Sequence, residues 1–161
     1  MTQTFPAPQD DQERPYTLLS IGGHALLLPQ SEIRILAPVQ DIKIMGQRAS
    51  GVVGWLPFAG RRWPVYCLDE ALHALPHLPP GQRICALVKL NTSYFGLVCM
   101  QVATVQGAAL RIWPVPTAMA MPGSPLQGLS RHADRVALVS TAAALAVLLG
   151  VNDAAEPMRQ A

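Results

Sequence analysis

Charge is scarce in this sequence: Lys and Arg number 12 and Asp and Glu 10, together 14% of its 161 residues, for a net charge of +2. A field that weak has no electrostatic footprint for a phosphate backbone, and no basic run exceeds the pair Arg61-Arg62, so no nucleic-acid partner is expected. Aromatic residues are scarcer still, at 6%, too few to line a stacking groove. Histidine offers little: His24 opens a strand beside a turn, as an exposed or hydrogen-bonded turn residue would. His73 and His77 are separated by Pro76, which breaks the helix that would align them as ligands. The three cysteines Cys67, Cys85 and Cys99 form no Cys-x-x-Cys pair and sit in apolar runs, so they read as small buried hydrophobes rather than disulfide or metal partners.

Catalytic motifs are missing too. The acids gather at Asp10, Asp11 and Glu13, at Asp69-Glu70 and near the end, and there is no Gly-x-Ser-x-Gly, phosphate loop or metal spacing. The chain is therefore not expected to be an enzyme or to carry a cofactor. The longest apolar stretch, Val136–Leu149, contains Ser140 and Thr141 and is too short to cross a bilayer. The start lacks the basic end and apolar core of a secretory signal, so a cytoplasmic protein without membrane insertion is expected.

Hydrophobic residues make up 50% of the chain, punctuated by 15 prolines and 12 glycines. Such punctuation predicts a mainly β protein of many short strands. The proline-rich, nearly apolar-free residues 1–15 read as a disordered tail, 16–150 as one domain, and 151–161 as a frayed end. Tyr16–Ile21 and His24–Leu28 around Gly22-Gly23 predict a hairpin. Ser31 and Glu32 suit the cap of a short helical turn before the apolar edge Ile33–Leu36. Asp69–Leu75 suits one or two helical turns ended by Pro76. Ile84–Leu90 and Tyr94–Val105 repeat the strand-turn-strand grammar, and Ala109–Trp113 suits a further short strand. Trp113, Met119 and Met121 are expected mainly to fill the core. Leu126–Leu129 and Val136–Val139 read as strands joined by a polar bend at Ser130–Arg135. A last helix over Thr141–Leu149 starts at a threonine cap and stops at Gly150.

The chain is organised around Gly51–Leu72, where two strand-length apolar runs, Val52–Phe58 and Trp63–Leu68, flank the break Ala59-Gly60-Arg61-Arg62. Pro64 cannot donate to a ladder, which predicts that the second run lies at an edge or starts beyond the proline. Gly54-Trp55-Leu56-Pro57-Phe58-Ala59-Gly60 followed by Trp63-Pro64-Val65-Tyr66-Cys67-Leu68 resembles the pattern Gly-Val-Ile-Asn-Leu-Arg-Gly…Ile-Pro-Val-Ile-Asp-Leu of the CheW-like domain, the coupling module of bacterial chemosensory arrays. Gly54, Gly60, Pro64 and Leu68 match in identity; Pro57, Ala59 and Cys67 replace the family's Asn, Arg and Asp. Gly96, Leu97, Val98 and Val102 resemble a second family signature, with Met100 in an aspartate place; Ser140 takes another, and Arg34 stands where the family usually has an acid.

The resemblance, spanning Tyr16 to Gly150, implies two small five-stranded SH3-like β barrels with a short C-terminal helix. It also implies a non-catalytic adaptor in chemotaxis signal transduction, linking a chemoreceptor signalling tip to a CheA-type histidine kinase of a two-component system. An accessory role in a pilus-type twitching-motility system fits a diverged copy. Such a module binds through exposed apolar residues on a rigid barrel, and the candidates are Ile33, Ile35, Phe58, Ala59, Gly60, Arg61, Trp63 and Tyr66. Alternation along the strands puts some of these in the core. The methyl group of Ala59, in the arginine place, implies receptor coupling that is weakened or retargeted. The alternatives are a diverged interaction module with another partner, or a small peptide-binding β-barrel domain.

Overall fold

The structure, a computed structural model, describes residues 14–21, 23–44, 51–69, 71–107, 110–115, 124 and 126–151, and the backbone of 156–157. The expected N-terminal tail before Arg14, and Met119 and Met121, lie outside the described residues. In chain order the elements are β1 (Tyr16–Ile21), β2 (His24–Pro29), β3 (Ile33–Pro38), β4 (Val52–Phe58), β5 (Arg61–Tyr66), β6 (Ile84–Leu90), β7 (Ser93–Cys99), β8 (Gln101–Val105), β9 (Ile112–Trp113), β10 (Gly128–His132), β11 (Arg135–Val139), helix α1 (Ala142–Leu149) and β12 (Glu156–Pro157). The expected mainly β fold is what forms.

The strands make two sheets, one in the order β8-β1-β2-β11-β10-β9, the other β12-β5-β7-β6-β3 with β4 on the outer side of β5. Each therefore has five longer strands and one of two residues. Among the described residues neither hydrogen-bonded path closes into a barrel, yet each sheet curls about a core of its own. The sheets do not follow the two halves of the sequence. The first hairpin joins the C-terminal strands, β2 running parallel to β11, and the second sheet takes β3 to β7. The expected long strand Tyr94–Val105 is in fact two: at Met100, whose N–H donates to Ser20 O at 2.9 Å, the chain leaves β6 and joins β1.

Side-chain alternation explains why charge is so scarce. Leu26 and Leu28 face the core between the sheets, whereas Ala25 and Leu27 face the core inside the first sheet. In the second sheet Trp55, Tyr66, Ala86 and Val88 face the shared core; Leu56, Val65, Cys85 and Leu87 face the inner one. Strands covered on both faces read as continuous apolar runs, and each fully buried Leu or Val contributes about 1.5–3 kcal/mol. All three cysteines are buried in these cores, and burial pushes their thiols up, to about 11 for Cys67 and about 12 for Cys85 and Cys99. They are held as thiols at neutral pH, poor nucleophiles and poor ligands.

Several local expectations change. Asp69–Leu75 is a loop rather than helical turns: the Asp69 carboxylate accepts from the N–H groups of Ala71 and His73, both at 2.9 Å, and Leu68 bridges to Ala74. Strands β10 and β11 run through the expected polar bend to a tight turn at Ala133 and Asp134, both at positive φ. Trp113, expected in the core, is 44% exposed on the short edge strand β9.

Helix α1 begins as expected, Thr141 Oγ1 accepting from Ala144 N–H at 3.1 Å, and ends at Gly150 with φ 65. Glu32 does not cap its own 3₁₀ turn. Its carboxylate accepts instead from Ala142 N–H at 2.8 Å, fastening the last helix to the start of β3. Burial raises the Glu32 carboxyl above its ordinary 4.5, against the lowering effect of that hydrogen bond. A raised folded-state value means that this group favours the fold increasingly as pH falls from neutral through that value, the gain ending near 4.5. Glu32→Ala is expected to cost about 1 kcal/mol at pH 7, while Glu32→Gln, which keeps an acceptor and sheds the charge, costs less and loses this pH dependence. Urea unfolding of the three proteins at neutral and mildly acidic pH measures both effects.

Candidate interaction surface

The β4–β5 hairpin turns on two residues, Ala59 (φ 51) and Gly60 (φ 75), both left-handed as a two-residue hairpin turn requires. Its prolines are placed without loss. Trp55 exchanges both backbone bonds with Lys43, at 2.7 and 2.8 Å, so its groups point away from β5. Trp55 pairs with Pro64 and, two residues on, Pro57 with Arg62; both pairs are therefore the non-hydrogen-bonded kind. The missing proline amides thus fall on outer sides, and the hairpin ladder is intact. Strand β5 is not at an edge, contrary to what Pro64 suggested: β7 takes its other side from Val65 and β12 pairs with Arg61–Arg62, leaving Pro64 between the two ladders.

A left-handed conformation strains Ala59, which has a Cβ where Gly or Asn is preferred. Ala59→Asn is expected to raise stability by roughly 0.5–1 kcal/mol. An unchanged or lower urea midpoint would count against that turn geometry.

Next to the turn, the register of β3 on β6 slips between Ile33 and Ile35, leaving Arg34 as the extra residue of a bulge. The slip sends Ile33 to the shared core with Val88 and Ile35 to the inner core with Leu87. It also carries the Arg34 guanidinium over the Phe58 ring, 5.3 Å from its centroid. Phe58 meets Tyr94 edge to face at 5.4 Å, and Tyr94 meets Trp63 at 4.9 Å. The indole N–H of Trp63 donates to Phe58 O at 2.9 Å, locking the base of the turn. On the other side of Tyr94 the register places Lys89, exposed like Arg34 and Arg61. The result is a rigid surface of half-buried Ile35, Phe58 and Tyr94, rimmed by Arg34, Arg61 and Lys89. It has the make-up of a docking patch, with aromatic anchors and positive charges on a preformed frame. Nothing in it is arranged for proton or group transfer.

Of the eight residues singled out from sequence, the structure brings Ile35, Phe58, Ala59, Gly60 and Arg61 together here. Trp63, 3% exposed, and Tyr66, 4% exposed, are core residues, and Ile33 packs against the shared core, so these three are corrected from surface anchors to supports. Sequence reasoning missed Arg34 as a contact, Tyr94 and Lys89. The bulge that aims Arg34 leaves no mark in composition; Tyr94 and Lys89 flank the turn Asn91-Thr92, a proximity that the hairpin expectation contained. His73 and His77 are both exposed on the loop after β5, and among the described residues no group of three His, Cys, Asp or Glu side chains is placed to hold a metal ion. An open groove of about 330 Å³ lies at the junction of the sheets, between Leu18 and Val102 on one side and Arg83 and Ile84 on the other. No described helix is long and apolar enough to cross a membrane.

Comparison with known proteins agrees with the architecture. The family model for the CheW-like domain matches residues 15–148. Among solved structures, the scaffolding protein TtCheW from Thermoanaerobacter tengcongensis is similar in fold, with a TM-score of 0.63 and 14% sequence identity over 80% of this chain and 88% of that one. No curated protein matches the sequence. The places where the family resemblance put aspartates differ in setting: Cys67 and Ser140 are buried, whereas Met100 is 41% exposed beside the groove.

Proposed function

The chain belongs to the CheW-like domain family, and from that premise we propose that it is a non-catalytic adaptor of a bacterial chemosensory system, coupling chemoreceptors to a CheA-type histidine kinase in the cytoplasm. The observation that carries this reading is the preformed aromatic and cationic surface of Ile35, Phe58, Tyr94, Arg34 and Arg61 on a frame locked from beneath by Trp63. A scaffold needs rigid docking surfaces and no reactive group, and the buried, protonated cysteines supply none. The likeness to a protein described as a scaffold, TtCheW, supports the same reading. A place in a pilus-type, twitching-motility pathway is part of the proposal. It is supported by the loss of the family's polar marks at Pro57, Ala59 and Cys67, which suits a partner set different from that of a flagellar adaptor.

Affinity capture of the tagged chain from its own cell extract, with mass spectrometry of what is retained, tests the function. A chemosensory histidine kinase or a receptor signalling tip is the expected catch. Ala59→Arg restores the family's residue at the exposed turn, and because alanine already bears the left-handed strain it is expected to leave stability within about 0.5 kcal/mol. Its bait is expected to retain more receptor. If neither class of partner is enriched with either bait, the coupling role is wrong.

A further inference from the structure

The pairing of Trp55 with Lys43 fixes which way every backbone group of the hairpin points. Arg62, opposite Pro57, directs its N–H and C=O away from β4, and Trp63, opposite Leu56, directs its own toward β4. The outward side of Arg62 is where Glu156–Pro157 lie antiparallel, Glu156 opposite Arg62 and Pro157 opposite Arg61. This is the far end of the chain returning to the very tip of the hairpin that carries the docking surface. The added strand cannot lengthen toward the sheet centre, because Pro64 has no amide and β7 occupies the edge from Val65 on. Among the described residues this ladder is two residues long, weakly held, and able to open locally without disturbing either sheet. Its register puts an acidic residue opposite Arg62, within the one adjacent Lys/Arg pair of the sequence.

We propose that the outer edge of β5 at Arg61–Arg62 is a strand-addition site, closed in cis by the chain's own Glu156–Pro157 and open in trans to an extended segment with an acidic residue opposite Arg62. Glu156–Pro157 are thus a displaceable cover beside the proposed docking surface, and a partner that adds a strand there competes with them. Main-chain pairing supplies the attraction, and Arg62 selects for acid at the position opposite it. This inference holds whichever partner the domain serves.

Amide exchange followed by NMR on the full chain and on Glu156→Pro tests it. Proline at 156 removes the amide that donates to Arg62 O and fixes φ away from the fully extended value, so the short strand, with the Glu156 C=O that accepts from the Arg62 amide, is lost while the sheets stay untouched. The Arg62 amide is expected to exchange at least about tenfold faster in the variant, while Trp63, bonded to β4, keeps its rate. A synthetic peptide of residues 152–161 added at about 1 mM, the effective concentration of a tethered tail, is expected to restore the protection of Arg62. Equal Arg62 rates in the two proteins would overturn the cover. Faster exchange at Trp63 as well would mark a loosened hairpin rather than a lost strand, and a peptide without effect would show that the edge takes no strand in trans; either result also overturns the proposal.

Discussion

Gly96→Val is expected to leave little folded protein. Gly96 lies in mid-β7, paired with Val65 of β5 on one side and Leu87 of β6 on the other. A Cβ there would sit 2.7 Å from Cys85 Sγ and 2.9 Å from Val65 Cγ2, both in fully buried side chains that have no room to retreat. Overpacking a sealed core costs about 1–3 kcal/mol for small insertions, and a branched side chain at this spot is expected to exceed 3 kcal/mol. Against a total stability of roughly 5–15 kcal/mol that is a large share. Gly96→Ala should be milder and should recover when Cys85→Ala makes space, whereas the same pair would be additive if the clash were not the cause. Urea titrations followed by circular dichroism distinguish the two.

The second large effect is on binding rather than folding. Arg34→Glu combined with Arg61→Glu reverses the charge on the rim of the proposed docking surface at two exposed positions. Among the described side-chain contacts the fold loses that of Arg34 with Phe58, about 0.5–1 kcal/mol. Retention of the captured kinase or receptor is expected to fall at least about 30-fold, since like charges brought against a complementary patch cost several kcal/mol. A double variant that is folded and binds as well as the original would place the docking surface elsewhere on the domain.

Much of the fold was legible because it rests on local chemistry. The hairpins at Gly22-Gly23 and at the Ala59–Arg62 break (where the turn is Ala59-Gly60 and both arginines belong to β5), the threonine cap of α1 and its Gly150 stop were read from residues within a few positions of one another. What stayed hidden depends on contacts between distant segments. Nothing near Met100 says that the strand changes sheets there, because the reason is Ser20, far back in the chain. Nothing near Glu32 says that its carboxylate belongs to Ala142. Pro64 suggested an edge, and only the positions of β7 and β12 show how a proline sits inside β5. The site was half visible for the same reason. Phe58 and the turn tip are sequence neighbours of the family-like motif, but the inward turn of Trp63 and Tyr66, and the bulge that swings Arg34 over Phe58, follow from cross-strand register.

The most direct test of the adaptor reading is co-sedimentation. Membranes bearing the chemoreceptor are mixed with the histidine kinase of the same cell, with and without the purified chain, and the kinase in the pellet is measured. A bridging scaffold predicts that kinase enters the pellet in proportion to added chain, and that the Arg34→Glu/Arg61→Glu protein fails to bring it down. Kinase that sediments equally with and without the chain, or not at all at any concentration of it, would contradict a coupling role.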